Sequence, residues 1–276
     1  MPLPNLIIIG AQKCGTSSLK NYLTLHPEIT MPDLEQHFFS HEHIWRKGVR
    51  WYSEQFSDAP VRGEKSISYS MAPFYPFVPE RIARVAPDAK FIYLVRDPID
   101  RTIAGWRYHQ RHNDEARTFE ETFSCLDDNV YLARSRYASQ LERYLAHFPL
   151  ERILVIDQHD LRHDRSRTLE AVFAHLDVDT GFTSPQFTAE AQVSTAGAWR
   201  SPGAAKLAER AERVVGRRLT RRIGSLIPRG VPGLERTPPD PPVVTDELRD
   251  RLAEILAPEA ARLRDLTGQP FAHWSL

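Results

Sequence analysis

The chain has 276 residues, of which 41% are hydrophobic and 10% aromatic, and its formal net charge at pH 7 is zero. This composition supports a packed core, excludes a disordered chain, and gives no overall attraction to nucleic acid or to a membrane surface. Two cysteines are too few for a disulfide framework, and no apolar run or basic leader indicates a membrane span or secretion, so we expect a cytoplasmic protein.

Strand and helix signals alternate along the chain, which predicts an α/β fold with a central parallel sheet flanked by helices. A β-branched apolar run predicts a first strand over 6–9, and an amphipathic helix follows over 16–25. Residues 30–58 are aromatic-rich and irregular, which is typical of a structured loop region. The later predicted elements are strands at 61–64, 90–95 and 152–156, helices at 78–85, 98–110, 137–148, 167–176 and 245–266, and a Pro-rich linker or surface loop at 236–242. We expect residues 1–276 to form a single domain.

The turn after the first strand has the composition of a phosphate-binding loop, Gly10-Ala11-Gln12-Lys13-Cys14-Gly15-Thr16-Ser17-Ser18. A strand, a tight loop and a helix N-terminus bring free backbone N–H groups and the positive helix end to one point. A Walker A loop has lysine after its second glycine, but here Thr16 stands at that position and Lys13 comes three residues earlier. The loop therefore predicts a phosphorylated nucleotide as ligand but not a simple NTPase; the alternative is an ordinary β–α turn.

Arg96 is a second candidate for binding phosphate. It follows a buried strand and precedes a helix that starts with Pro98, which is where α/β sheets bind ligands. Arginine also suits bidentate contacts with phosphate. The alternative is a structural ion pair with Asp97 or Asp100.

Together these segments resemble those of sulfotransferases that use 3′-phosphoadenosine 5′-phosphosulfate (PAPS). Residues 13–17, followed by an apolar helix and His26-Pro27, are similar to the family's 5′-phosphosulfate loop, and Arg96-Asp97-Pro98 resembles its 3′-phosphate element. The resemblance implies a P-loop-NTPase-like sulfotransferase fold whose nucleotide-binding elements lie mainly within 5–110 and 135–202. It also implies PAPS as co-substrate, 3′,5′-adenosine bisphosphate (PAP) as product, and no required metal.

The resemblance further implies which residues hold the donor. Lys13 would contact the leaving phosphate, and Arg96 the 3′-phosphate. Gly105 falls where the family has a serine, so one hydroxyl contact to the 3′-phosphate is expected to be missing. Trp199 and Arg200 lie in a segment similar to a basic loop that covers the nucleotide. The complete set of implied donor-binding residues is Lys13, Cys14, Gly15, Thr16, Ser17, Ser18, Arg96, Gly105, Trp199 and Arg200.

Three further matches imply the chemistry on the acceptor side. Glu35 precedes a Phe-Phe element, as does the acidic residue that deprotonates the acceptor in heparan-type sulfotransferases. Lys65 would approach the sulfuryl group opposite Lys13, and His109 is an alternative base near the acceptor. The implied reaction is in-line transfer of a sulfuryl group to a hydroxyl, or an amine, of a small-molecule, carbohydrate or lipid acceptor. For Glu35 and Lys65 the alternative is a solvated side chain, and for His109 a structural role.

Two other functions stay open at this point. One is a small-molecule kinase on a P-loop scaffold, and the other is a non-catalytic protein that binds PAP or PAPS. A group of aromatic residues would suit an acceptor pocket or simply a core: Trp45, Trp51, Tyr52, Phe56, Tyr69 and Phe74. The histidines at 37, 41 and 43 lack the partners and spacing of a zinc site, so no metal is predicted.

Overall fold

Five parallel strands form the sheet, and their order places the candidate site. The computed structural model describes residues 1–112, 115–187 and 243–276. The strands are β1 (Leu6–Gly10), β2 (Ile29–Thr30), β3 (Val61–Lys65), β4 (Lys90–Val95) and β5 (Ile153–Asp157). They stand in the order β2-β3-β1-β4-β5, and every neighbouring pair is parallel. The predicted α/β class with a central parallel sheet is confirmed.

β1 and β4 lie side by side inside the sheet. All of β1 is buried, and so is β4 from Phe91 to Val95, as expected for strands of a parallel sheet that is covered on both faces. After β1 the chain moves to the β3 side of the sheet, and after β4 it moves to β5. The carboxyl ends of β1 and β4 therefore flank a crevice of the kind where such sheets bind ligands.

Eleven α-helices lie within the described ranges. They are α1 (Thr16–Leu23), α2 (Glu42–Trp45), α3 (Gly48–Ser53), α4 (Val78–Val85), α5 (Pro98–Arg111), α6 (Phe119–Ser124), α7 (Val130–Ala133), α8 (Tyr137–Leu145), α9 (Gln158–His163), α10 (Arg165–His175) and α11 (Asp246–Thr267). α4 has its predicted bounds, whereas α1 and α8 end earlier than predicted. The predicted loop region at 30–58 holds α2 and α3, which are too short for a helical period to appear in the sequence. The predicted linker at 236–242 lies outside the described residues.

The start of α5 is fixed by both local and distant contacts. Pro98 occupies the first turn, and the side chain of Asp97 caps the helix by accepting a hydrogen bond from Asp100 N at 3.0 Å. The other carboxylate oxygen of Asp97 accepts hydrogen bonds from the backbone N and the Oγ of Ser275, at 2.6 and 2.7 Å. α11 packs against α5 and α8. No helix in the described part of the chain is both long and apolar enough to cross a membrane.

Candidate functional site

The carboxyl ends of three neighbouring strands bring the predicted segments together. The loop to α1 leaves β1 at Gly10, β3 ends at Lys65, and Arg96 follows β4. Because β1 lies between β3 and β4, the loop is flanked by Lys65 on one side and by Arg96 on the other.

The backbone of the loop has the unusual conformation that its glycines allow. Gly10, Lys13 and Gly15 have φ angles of 142°, 71° and 91°. A Cβ atom at Gly10 would overlap Ser70 Oγ, so only glycine fits there. Gly15 is the N-cap of α1, whose first turn contains no acidic residue, so this helix end attracts an anion.

The side chains of the loop divide between the site and the core. Lys13 Nζ lies 4.8 Å from the centroid of the Tyr108 ring. Burial lowers the pKa of Lys13, and the positive charges of Arg111 and Arg96 lower it further. Cys14 instead points inward, is buried, and lies 3.5 Å from the Tyr137 hydroxyl. The predicted contribution of Cys14 to donor binding is therefore limited to its backbone.

The hydroxyls of the loop also differ in access. Thr16 is buried, whereas Ser17 is exposed and Ser18 is half-buried. Ser17 Oγ accepts a hydrogen bond from Lys65 Nζ at 3.1 Å. Ser17 is thus the loop residue that connects the phosphate-binding turn to the neighbouring strand β3.

On the other side of the loop, Arg96 forms an ion pair with Asp100, which was the alternative to its predicted role in phosphate binding. Its Nη2 lies 3.0 Å from Asp100 Oδ2, and 23% of its side chain is exposed. Gly105 lies on the buried face of α5, where an added Cβ would be 3.3 Å from both Arg101 Nη2 and the Tyr131 ring. A serine at Gly105 would therefore meet protein atoms rather than a ligand, and Ala104 is the half-buried position on that turn.

Glu35 and Lys65 are brought into direct contact. Lys65 Nζ lies 2.7 Å from Glu35 Oε1, and 9% of the Lys65 side chain is exposed. The backbone N of Ile67 donates to Glu35 Oε2 at 3.0 Å. His37 Nε2 lies 3.6 Å from the same oxygen. Three groups thus orient one carboxylate, and the sequence alone did not suggest that His37 is one of them, although the Glu-x-His spacing was a visible signal.

A buried glutamate supports this arrangement from behind. Glu64 Oε1 accepts hydrogen bonds from Ser66 Oγ at 2.8 Å and from the Tyr69 hydroxyl at 2.6 Å, and Oε2 accepts one from the Tyr52 hydroxyl. Ser66 Oγ in turn accepts from the backbone N of His37 at 3.0 Å. Burial raises the pKa of Glu64 to about 7. Glu64 is therefore the anchor of the segment that carries His37.

His109 belongs to a different cluster of side chains. Its Nε2 lies 3.0 Å from Arg134 Nη1 and 3.3 Å from Gln12 Nε2. An arginine N–H can only donate, so we assign Nε2 as the acceptor and place the ring proton of neutral His109 on Nδ1. Burial lowers the pKa of Arg134 to about 10.

An open cavity of about 610 Å³ is lined mainly by residues 39–43, which follow Glu35 and His37 in the chain, and by residues 74–77. Its lining includes His41, whose ring lies 4.8 Å from the His37 ring and stacks on Tyr75 at 5.2 Å. Phe74 and Phe77 also line the cavity, and they are 53% and 60% exposed. Of the six aromatic residues that suited either a pocket or a core, Tyr52, Phe56 and Tyr69 are buried, Trp45 and Trp51 pack against the core, and Phe74 faces the cavity.

Two predicted donor-binding residues, Trp199 and Arg200, lie outside the described residues. In the described part of the chain, no group of three or more His, Cys, Asp or Glu side chains is arranged to hold a metal ion.

The sheet order and the glycine loop define an α/β protein of P-loop-like fold. The family model of the sulfotransferase domain matches residues 3–194. The chain therefore belongs to the sulfotransferase domain family, and the predicted family is confirmed.

An individual relative agrees with this assignment, and two solved structures agree with the fold. Human heparan sulfate glucosamine 3-O-sulfotransferase 5 is 33% identical over 168 residues, which cover 56% of this chain and 48% of that protein. The chain thus spans about half the length of the curated relatives it matches. The crystal structure of a sulfotransferase from Alicyclobacillus acidocaldarius aligns over 100% of both chains, with a TM-score of 0.69 and 23% identity. Mouse sulfotransferase SULT7A1, complexed with PAP, covers 98% of this chain and 88% of its own, with a TM-score of 0.52 and 15% identity. The predicted sulfotransferase fold is confirmed.

Proposed function

We propose that this chain transfers a sulfuryl group from PAPS to a hydroxyl, or an amine, of a small-molecule, carbohydrate or lipid acceptor and releases PAP. The observation that carries the proposal is the direct connection between the phosphate-binding loop and a carboxylate. Lys65 Nζ contacts Ser17 Oγ at 3.1 Å and Glu35 Oε1 at 2.7 Å. Group transfer needs positive charge near the transferred group and a proton acceptor near the attacking atom, and Lys65 lies between these two parts of the site.

The residues around the loop fit an anionic donor. Among the described residues, Lys13 and Arg134 have no carboxylate within ion-pair distance, and the buried Nε of Arg134 has no hydrogen-bond partner. Bound PAPS would supply the sulfuryl group for transfer. The loop N–H groups and Ser17 would hold its phosphosulfate end and Arg96 its 3′-phosphate, while the Lys13 ammonium would neutralise charge on the departing phosphate.

Glu35 is better suited than His109 to accept the proton from the acceptor. Nε2 of His109 already accepts hydrogen bonds from Arg134 and Gln12, so its lone pair is engaged. Each oxygen of a carboxylate has two lone-pair sites, so Glu35 keeps capacity for another donor beside Lys65 and Ile67 N. We therefore assign the role of proton acceptor to Glu35. His109 is assigned the role of orienting the side chains of Arg134 and Gln12.

The cavity beside His37 would receive the acceptor. Phe74, Tyr75 and Phe77 line it, and aromatic faces of this kind pack against sugar rings and apolar bodies alike. His41 connects this lining to His37 and thereby to Glu35.

The test compares Glu35→Gln with His109→Asn. A heparan-type oligosaccharide, a simple phenol and a glycolipid are first screened with labelled PAPS, and kcat is then measured with the best acceptor. Glu35→Gln should lower kcat by about 10²- to 10⁴-fold while PAP binding, measured by calorimetry, changes little. His109→Asn should lower kcat by less than about 10-fold, and Glu54→Gln, an exposed carboxylate paired with Arg50, serves as the matched control.

The outcomes separate this proposal from its alternatives. Normal turnover by Glu35→Gln would remove Glu35 from its role. Tight PAP binding by the parent protein without transfer to any acceptor would favour a non-catalytic PAP-binding protein. Binding of ATP with magnesium, but not of PAP, would favour a kinase.

A further inference from the structure

Arg101 on α5 is completely buried directly behind the phosphate-binding loop. Its Nε donates to the carbonyl oxygen of Gln12 at 3.2 Å, and its Nη2 donates to Gln12 Oε1 at 3.4 Å. Its Nη1 donates to the carbonyl oxygen of Tyr131 at 2.6 Å and to Ser135 Oγ at 3.1 Å. All of these acceptors are neutral, and no carboxylate of the described residues lies within ion-pair distance of Arg101.

A buried charge without a counter-ion is costly, and proteins rarely keep one unless it is paired. Here the nearby charges make the imbalance larger. Arg134 donates to the same Gln12 Oε1 at 3.1 Å, and Lys13 is a further cation of the loop with no carboxylate of the described residues within ion-pair distance, whereas Arg96 is paired with Asp100. Arginine stays protonated even when burial lowers its pKa. This group of cations therefore calls for an anion from outside the described protein atoms.

The glycine at position 105 fits the same interpretation. An added Cβ there would lie 3.3 Å from Arg101 Nη2, which is closer than side-chain carbons normally approach. Gly105 thus leaves room for the guanidinium to lie flat against α5 and reach the loop.

We propose that Arg101 is a positioning residue for the donor: it fixes the backbone of Gln12, next to Lys13, and adds buried positive charge whose counter-ion is the 5′-phosphate of the bound nucleotide. This inference rests on the proposed function, because it requires the loop to hold that end of PAPS or PAP. Arg101 acts through the loop and through its field, and it is not assigned a contact with the reacting atoms.

The test compares two nucleotides that differ by one group. PAP carries a 5′-phosphate, and adenosine 3′-phosphate lacks it. The dissociation constant of adenosine 3′-phosphate divided by that of PAP therefore isolates the contribution of the 5′-phosphate, and this quotient is the ratio used below. In Arg101→Met, calorimetry should show PAP binding weakened on the order of 10- to 100-fold and adenosine 3′-phosphate binding changed by less than about 3-fold. Arg101→Lys, which keeps the charge but not the planar fork, should give an intermediate ratio. Arg152→Met, which removes a half-buried arginine paired with the exposed Asp88, is the matched control and should leave the ratio unchanged.

A role in the overall fold alone, and not in the loop, would weaken both nucleotides equally, so an unchanged ratio in folded Arg101→Met would overturn the proposal. If that variant does not fold, Arg101→Lys and Gly105→Ser carry the test, because the added hydroxymethyl group would push the guanidinium away from Gln12. Both should lower the ratio, and an unchanged ratio in both would equally overturn it. Failure of the parent protein to bind PAP would instead refute the proposed function itself.

Discussion

Replacing Glu64 with glutamine is expected to flatten the pH dependence of stability. Glu64 is 1% exposed and accepts hydrogen bonds from Ser66, Tyr69 and Tyr52. These donors favour the ionised form, but burial outweighs them and raises the pKa from 4.5 to about 7.

The sign and size of the effect follow from linkage between protonation and folding. The folded chain holds the Glu64 proton more tightly than the unfolded chain does. The stability that this proton gives is complete below pH 4.5 and is lost as the pH rises to about 7. The difference between the two pKa values corresponds to about 3 kcal/mol in the free energy of unfolding. Glutamine cannot ionise, so this loss should disappear in Glu64→Gln.

Urea denaturation followed by tryptophan fluorescence at pH values from 4.5 to 8 would measure the difference. The decline in unfolding free energy across this range should be about 3 kcal/mol smaller in Glu64→Gln than in the parent protein. Glu142→Gln, which breaks an exposed pair with Arg262, is the control and should change stability by less than about 1 kcal/mol. Equal pH slopes for Glu64→Gln and the parent would refute the reasoning, because Glu64 would then be ionised in the fold at no cost.

Two further predictions concern the loop. Gly10→Ala places a Cβ on Ser70 Oγ at a φ of 142°, so it should lower thermal stability by several degrees and weaken PAP binding. The control is Gly48→Ala, which has a φ of 81° and open space around it and should cost only about 1 kcal/mol of stability. Equal losses of stability in the two variants would contradict the steric argument. Native protein treated with iodoacetamide should be alkylated at the exposed Cys125 and not at the buried Cys14, whose pKa is raised by burial. Mass spectrometry after proteolysis distinguishes the two cysteines. Early modification of Cys14 would contradict the prediction and show that the loop opens.

Four of the five strands and the larger helices could be predicted because each is specified by its own residues, whereas the two-residue β2 was missed. The run at 90–95 is apolar throughout and became a buried strand, and Pro98 marked the first turn of α5. α6, α7 and α9 were not predicted, because a helix of four to six residues is too short to show a period. The boundaries of α1 and α8 were wrong by two or three residues, which is common at helix ends.

The structure shows which of the predicted site residues meet and how they are oriented, and their roles stay predictions. Glu35, Lys65 and Ser17 do meet, because the strand ends bring them together. The inward side chain of Cys14 and the buried face of Gly105 depend on packing against α8 and α7, which no local pattern encodes. The contacts of Arg101 with Tyr131 and Ser135 cross 30 and 34 positions of the chain, so neither partner could be inferred from spacing.

The separation between the glycine loop and Glu35 is set by the sheet itself. In the parallel pairing of β1 and β3, Ile8 lies opposite Lys65, two residues before Gly10, where the loop begins. This register puts Lys65 Nζ within reach of Ser17 on the loop and of Glu35 on the neighbouring segment. A slip of one residue would turn Lys65 to the other face of the sheet and bring Glu64, now buried between two tyrosine hydroxyls, toward the loop. A second carboxylate beside Glu35, without Lys65 to pair it, would repel an anionic donor, so the same pairing that buries Glu64 in the core also keeps a cation between Glu35 and the loop.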